Sequence, residues 1–325
     1  MTAMPRKLEI DALQAEQAGL RALLEEARTI DDPVGELQYA HRLEEIQEHL
    51  QRLHDSHIPM ASVALFFSGK PVIGSLGIAS DFAGRALGAY QELISKTFAK
   101  SELGGMGERG PVPLKQETTL MVTGLAHGSF GFVLNELSDQ TEIHDTALKE
   151  VVKDASDLLE CVSASSETEF EHASEDLDPR TLGALKKFFK DLDNEGATIR
   201  IVDDYRELKL DGEAIHRARM RTEATEIVEE TITVEGILKG FLPDHRRFEL
   251  QAQEQTYHGT ASKEAAEQLQ SAVNRDIPVL GKECSAGFIV RTVTSLNKPP
   301  RLAYRLTKFY SLGGNSHSAQ TEPIS

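Results

Sequence analysis

Between Thr118 and Leu137 the chain reads "TTLMVTGLAHGSFGFVLNEL", and the reading of this stretch decides the fold class. His127-Gly128-Ser129-Phe130-Gly131 comes one residue short of the G-x-S-x-G nucleophile elbow, in which a strand turns sharply into a helix beneath an exposed serine. His127 stands where the elbow needs glycine. The following "GFVLNEL" is rich in strand formers, so the second element is expected to be β. No Lys-Ser/Thr pair follows the glycines, as a phosphate loop requires. Gly124, Gly128 and Gly131 suit a tight turn and a bulge. Strand–turn–strand points to an α+β fold with an antiparallel sheet rather than a doubly wound one. Catalysis by Ser129 with His127 or His144 would make the chain a hydrolase, and it is the weakest of three functional readings.

The flanking segments extend this into a series of modules. Ile10, Leu13, Gln17, Leu20, Leu24 and Ala27 follow the 3-4 spacing of a coiled-coil seam, repeated by Tyr39, Leu43, Ile46, Leu50 and Leu53. Asp31-Asp32-Pro33 between them reads as a break, an N-cap and a first-turn proline. Residues 1–58 are therefore expected to form an antiparallel helical hairpin. Its stripe (Leu13, Leu20, Leu24, Leu43, Ile46, Leu50) is the candidate interface, docking on the body, on a second copy or on a protein partner. Residues 59–165 read as ββαββα. "ASVALFF" and "PVIGS" form an opening hairpin, a helix runs from Ala79 to Lys100, the quoted strands follow, and a helix covers Ala147 to Val162.

Residues 166–226 read as a connector. It holds an acidic linker or short helix up to Asp178, a helix over Pro179–Asn194, a hairpin turning at Asp203-Asp204, and a helix from Glu213. Residues 227–312 carry strand patterns at Glu229–Leu238, Arg247–Gln253, "TYHG", Glu283–Val293 and Arg301–Phe309, with a helix over Ser262–Val273. Five short strands with a helix between the third and fourth is the order of a small OB-like barrel. Residues 313–325 read as a disordered tail.

Composition narrows the function classes. The chain of 325 residues is 40% hydrophobic and 27% charged, as soluble globular proteins are. No apolar run reaches the roughly 18–20 residues of a membrane span, and the start lacks a signal-peptide pattern, so the expectation is a cytoplasmic protein without membrane contact. Cys161 and Cys284 suggest neither a disulfide framework nor a thiolate metal site. A net charge of −17 disfavours whole-chain binding of nucleic acid. The charge is uneven: 13 acidic residues stand against two lysines over Ser138–Asp178, whereas 11 basic residues outnumber 9 acidic ones over Glu230–Tyr310.

The remaining candidates follow from residue type. His54 and His57 in "LHDSH" are spaced to share a helical face as metal ligands, although no H-E-x-x-H is present and a helix-end cap is the simpler reading. "DLDNEG" lacks the closing glutamate of an EF-hand loop. Arg246, Arg247, Arg291, Arg301 and Arg305 in the last module are candidate nucleic-acid contacts, with Tyr257, Phe288 and Tyr304 as stacking platforms or as core. No motif specifies a cofactor. The leading expectation is a non-catalytic assembly or regulatory protein acting through protein–protein contacts, compatible with an accessory role in a bacterial multi-gene system such as phage defence. The alternative is a nucleic-acid-binding adaptor that uses the last module.

Overall fold

The computed structural model describes residues 4–103, 110–126, 130–138, 144–243, 245–253, 255–275, 277–295 and 298–312. In chain order the elements begin with α1 (Arg6–Thr29), α2 (Pro33–Asp55), β1 (Ser62–Gly69), β2 (Val72–Ile73), β3 (Gly77–Ile78) and α3 (Ser80–Leu103). They continue with β4 (Leu120–Ala126), β5 (Phe130–Glu136), α4 (Ala147–Ser163), α5 (Glu167–Asp176), α6 (Pro179–Asn194), β6 (Ala197–Val202), β7 (Glu207–Leu210) and α7 (Gly212–Glu223). The last are β8 (Thr225–Leu242), β9 (Arg247–Ala252), β10 (Gln255–Ala261), α8 (Lys263–Asn274), β11 (Glu283–Ser295) and β12 (Arg301–Leu312). The fold is mixed α+β, and the chain divides into two compact units. One comprises Met1–Ile94, Gln116–Ser163 and Phe188–His216; the other comprises Ser95–Lys115, Ala164–Lys187 and Arg217–Ser325.

In the first unit α1 and α2 pair as a hairpin. The Asp32 carboxylate accepts from the Val34 and Gly35 amides at 3.2 and 3.1 Å, with Pro33 in the first turn, so the expected cap is present. Leu13, Ile46 and Leu53 centre the seam, and Ile10, Leu20 and Leu50 pack around them. Leu24 is also buried and Leu43 partly so. Leu23, Val34 and Leu37 stay exposed on these two helices, and so does Ile30 just after α1. The base of the hairpin meets the sheet: Leu8 packs on Ala64, Phe66 and Val133, and the Arg6 amide donates to Asp204 Oδ1 at 2.8 Å.

The five-stranded sheet of this unit runs β4-β5-β1-β6-β7 and is antiparallel throughout. The first six residues of β1 are all buried, because it lies between β5 and β6 and both its faces are covered. Two sequence expectations are corrected. "PVIGS" does not pair with "ASVALFF" as an opening hairpin; β2 pairs only with β3 in a separate two-stranded sheet. Both hydrogen-bonding edges of β1 are already taken, and Pro71 has no amide to donate. The hairpin β6–β7, read as part of a connector, instead extends the main sheet through β6. The quoted stretch does form two antiparallel strands, with a register shift between Val122 and Gly124. Gly131 faces the Phe66 ring, and an added Cβ there would come within 2.5 Å of it.

Beneath this sheet Phe67 meets Phe82 edge-on at 5.5 Å, and Tyr90 packs 6.4 Å from Phe188. The Tyr90 hydroxyl is buried with no hydrogen-bond partner among the described residues, and burial, with Asp203 nearby, pushes its pKa upward. Tyr90→Phe removes an unsatisfied group without leaving a cavity. Its stability in urea is expected to equal that of the wild type or exceed it by up to about 1 kcal/mol. A loss larger than that would reveal a partner for the hydroxyl.

In the second unit five strands close on themselves in the order β10-β12-β11-β8-β9. All neighbours are antiparallel except β10 and β12. At that parallel contact Gly259 lies opposite Tyr304, and a Cβ on Gly259 would fall 1.9 Å from the Tyr304 carbonyl oxygen. Leu238, Phe248, Leu250, Phe288 and Leu306 fill the ring, and α8 adds Ala265, Leu269 and Ala272 to the same core. The segment read as an acidic linker or short helix is helix α5, which buries Phe170 and Ser174. Asp178 after it accepts from the amides of Arg180 and Thr181 at 2.9 and 3.0 Å and caps α6. Among the described residues no helix is long and apolar enough to cross a membrane.

Candidate functional site

The period-two rule places the site. On β12, Leu306 points into the ring core and is fully buried, so its neighbour Arg305 points out of the ring. An arginine there would normally be solvated. Helix α5 lies over this face instead, and Arg305 is only 8% exposed. The acids of α5 explain the docking. Lys298 donates to Glu167 Oε1 at 2.9 Å and also to Glu171. Arg301 donates to the Ser174 hydroxyl at 2.9 Å and lies 3.7 Å from both Glu171 and Glu175. Arg221 binds Glu167 at 2.8 Å.

Arg291 on β11 is 1% exposed. The ladder sets it opposite Glu229 on β8, to which its Nε donates at 2.7 Å. Its Nη1 donates to the Asp176 carbonyl, at the last residue of α5, at 3.1 Å. Among the described residues its buried Nη2 has no hydrogen-bond partner, and neither has Arg305 Nε. Between these two arginines, the end of α5 and the strands β9, β10 and β12 lies a cavity of about 390 Å³. Arg247, His258 and Thr260 line it from the strands, with Glu175 and Asp176 from the helix. Neither Arg247 nor Arg305 has an ion-pair partner among the described residues.

The electrostatics bear the mark of crowded cations. Burial, with Arg291 beside it, pushes the Arg305 guanidinium down to about 10, against the pull of Asp176. Lys100, near the C-terminal end of α3, is pushed down to about 8 by burial; Asp176 and Asp178 oppose the shift, and Arg291 and Arg305 add to it. Such an arrangement holds negative charge well, because each guanidinium offers planar N–H donors suited to phosphate or carboxylate oxygens.

Of the five arginines expected to contact nucleic acid, the structure brings Arg247, Arg291 and Arg305 to one cavity. Arg301 is engaged with α5, and Arg246 is exposed in the turn before β9 with φ of +46°. Phe288 is core, and Tyr257 and Tyr304 pack on each other with ring centroids 5.1 Å apart. His54 and His57 are exposed, His57 lying 3.4 Å from Asp145. No group of three potential metal ligands occurs among the described residues. His127 and Ser129 lie outside the described residues, and His144 is exposed. Sequence reasoning missed Lys100, Glu175, Asp176, Glu229, His258 and Thr260. The only available signal was their placement on helix ends or on outward strand positions. Compared with protein-family models, with curated proteins and with solved structures, the chain matches none.

Proposed function

We propose that the chain is a non-catalytic regulatory protein whose ring is an OB-like module that holds an oxyanion-bearing ligand on its outer face. The strand order, with α8 between the third and fourth strands of the ring, is that of such a Greek-key module and supports this reading. One observation carries the binding claim: Arg305 is buried, has no ion-pair partner among the described residues and lines a cavity. A buried guanidinium without a partner is costly, and a ligand anion supplies the missing partner. Ligation then stabilises the ring by linkage, which is how a binding event becomes a regulatory one.

Thermal unfolding of the full chain in millimolar pyrophosphate, against chloride of matched ionic strength, tests this. The midpoint is expected to rise in the wild type and to stay put in Arg305→Met. No shift with phosphate, pyrophosphate or sulfate removes the reading.

A second reading, a nucleic-acid-binding adaptor, is favoured by the exposed pair Arg246, in the turn before β9, and Arg247, its first residue. It expects salt-dependent anisotropy with a labelled single-stranded oligonucleotide that disappears in Arg246→Glu/Arg247→Glu. Wild-type protein that leaves the oligonucleotide free at low salt eliminates it.

A further inference from the structure

The cavity beside α5 is more specific than a general anion site. It carries acids as well as bases, and the distribution of charge selects a ligand class. Arg291 is largely matched already, by Glu229 and by the carbonyl of Asp176. Of the arginines that line the cavity, that leaves Arg247 and Arg305 without an ion-pair partner among the described residues, and two positive charges suit the nearly divalent anion of a phosphate monoester. Thr260 adds a hydroxyl to the same wall.

The opposite wall, from α5, carries Glu175 and Asp176 together with His172. Carboxylates repel a bare phosphate but accept hydrogen bonds from hydroxyl groups, so the ligand must present an anion at one end and hydroxyls at the other. A cavity of about 390 Å³ is within the usual range of small-molecule sites and is too large for an inorganic ion alone. A polyanion fits poorly. Its neighbouring phosphates would run along α5, where Glu167, Glu171 and Glu175 already occupy Lys298 and Arg301.

We propose that the ligand is a phosphate monoester of a hydroxyl-rich small molecule, a sugar phosphate or a nucleoside monophosphate. Its phosphate sits on Arg305 and Arg247, and its hydroxyls donate to Glu175 and Asp176. This inference rests on the oxyanion reading above and adds the ligand class to it.

Calorimetric titration of the full chain with glucose 6-phosphate, AMP, inorganic phosphate and glucose tests it. At least one ester is expected to bind about tenfold or more tightly than inorganic phosphate, with glucose silent. Binding of AMP alone identifies a nucleotide, and binding of glucose 6-phosphate alone a sugar phosphate; either supports the proposal. Arg305→Met is expected to abolish binding. Arg247→Gln, at an exposed strand position where folding is not at stake, is expected to weaken it. Glu175→Gln should weaken the ester and leave inorganic phosphate unchanged or tighter. Inorganic phosphate binding as tightly as both esters overturns the ligand class while leaving the oxyanion site standing. Silence from every probe overturns both.

Discussion

Lys149→Met is expected to destabilise the first unit by roughly 3–5 kcal/mol, because it strands a buried acid. The ammonium is held at the start of α4 by Asp145 at 2.9 Å, by Asp204 at 3.5 Å and by the Ile58 carbonyl. It also lies 5.3 Å from the Tyr205 ring centroid. The Lys149 side chain is 8% exposed and that of Asp204 only 5%. Burial works against both charges, yet the two respond in different ways. Asp145, Asp204 and Tyr205 together outweigh burial at Lys149 and raise its pKa, whereas burial outweighs all partners at Asp204 and raises its pKa too. The lysine is therefore the better-satisfied partner, and Asp204 depends on it. Without Lys149, the Arg6 amide is the remaining hydrogen-bond donor to Asp204 among the described residues. Adding Asp204→Asn to Lys149→Met is expected to recover at least half of the loss, since a neutral amide needs no counter-charge. Urea denaturation of the single and double variants measures this, and a loss below about 1 kcal/mol in Lys149→Met would refute the dependence.

Lys100→Met is expected to act in the opposite direction, raising stability at neutral pH by roughly 2–3 kcal/mol. The folded chain holds this ammonium down to about 8, against an ordinary value of 10.5. Below pH 8 the half-buried lysine is charged in both states, and the cost of partly desolvating that charge is present. Between about pH 8 and 10.5 the unfolded chain binds a proton that the folded chain lacks, so this group makes stability rise with pH across that window. Burial sets most of the shift; Arg291 on β11 and Arg305 on β12 add to it, and Asp176 on α5 and Asp178 before α6 oppose it. Subtracting the pH profile of Lys100→Met from that of the wild type isolates the effect. Parallel profiles between pH 7 and 10 would show that Lys100 titrates normally.

Local chemistry was the legible part of this sequence. Asp32-Pro33 announces its cap because the carboxylate and its amides are near neighbours in the chain. "GFVLNEL" announces a strand through alternation and composition, and so do the strands of the ring. Long-range partnership was not legible. "ASVALFF" shows a strand buried on both faces, but not whether its second edge meets the next segment or β6. At the site, alternation correctly turns Arg305 away from Leu306, which in an isolated ring would mean solvent. Only the docking of α5 converts an outward arginine into a buried one. The acids of α5 carried a hint of this, since Glu167, Glu171 and Glu175 recur every four residues and present one charged stripe to Lys298 and Arg301.

The placement of β6 beside β1 also governs how the protein is made. Neither unit is a single stretch of chain, so one proteolytic cut cannot release either of them whole. During synthesis β1 emerges about 130 residues before the strand that covers its second edge. Until then a hydrophobic strand waits with unpaired amides and carbonyls, open to other nascent chains. Truncation anywhere before Ala197–Val202 is therefore expected to leave the second edge of β1 open to pairing with other chains, which sedimentation of such a fragment would show.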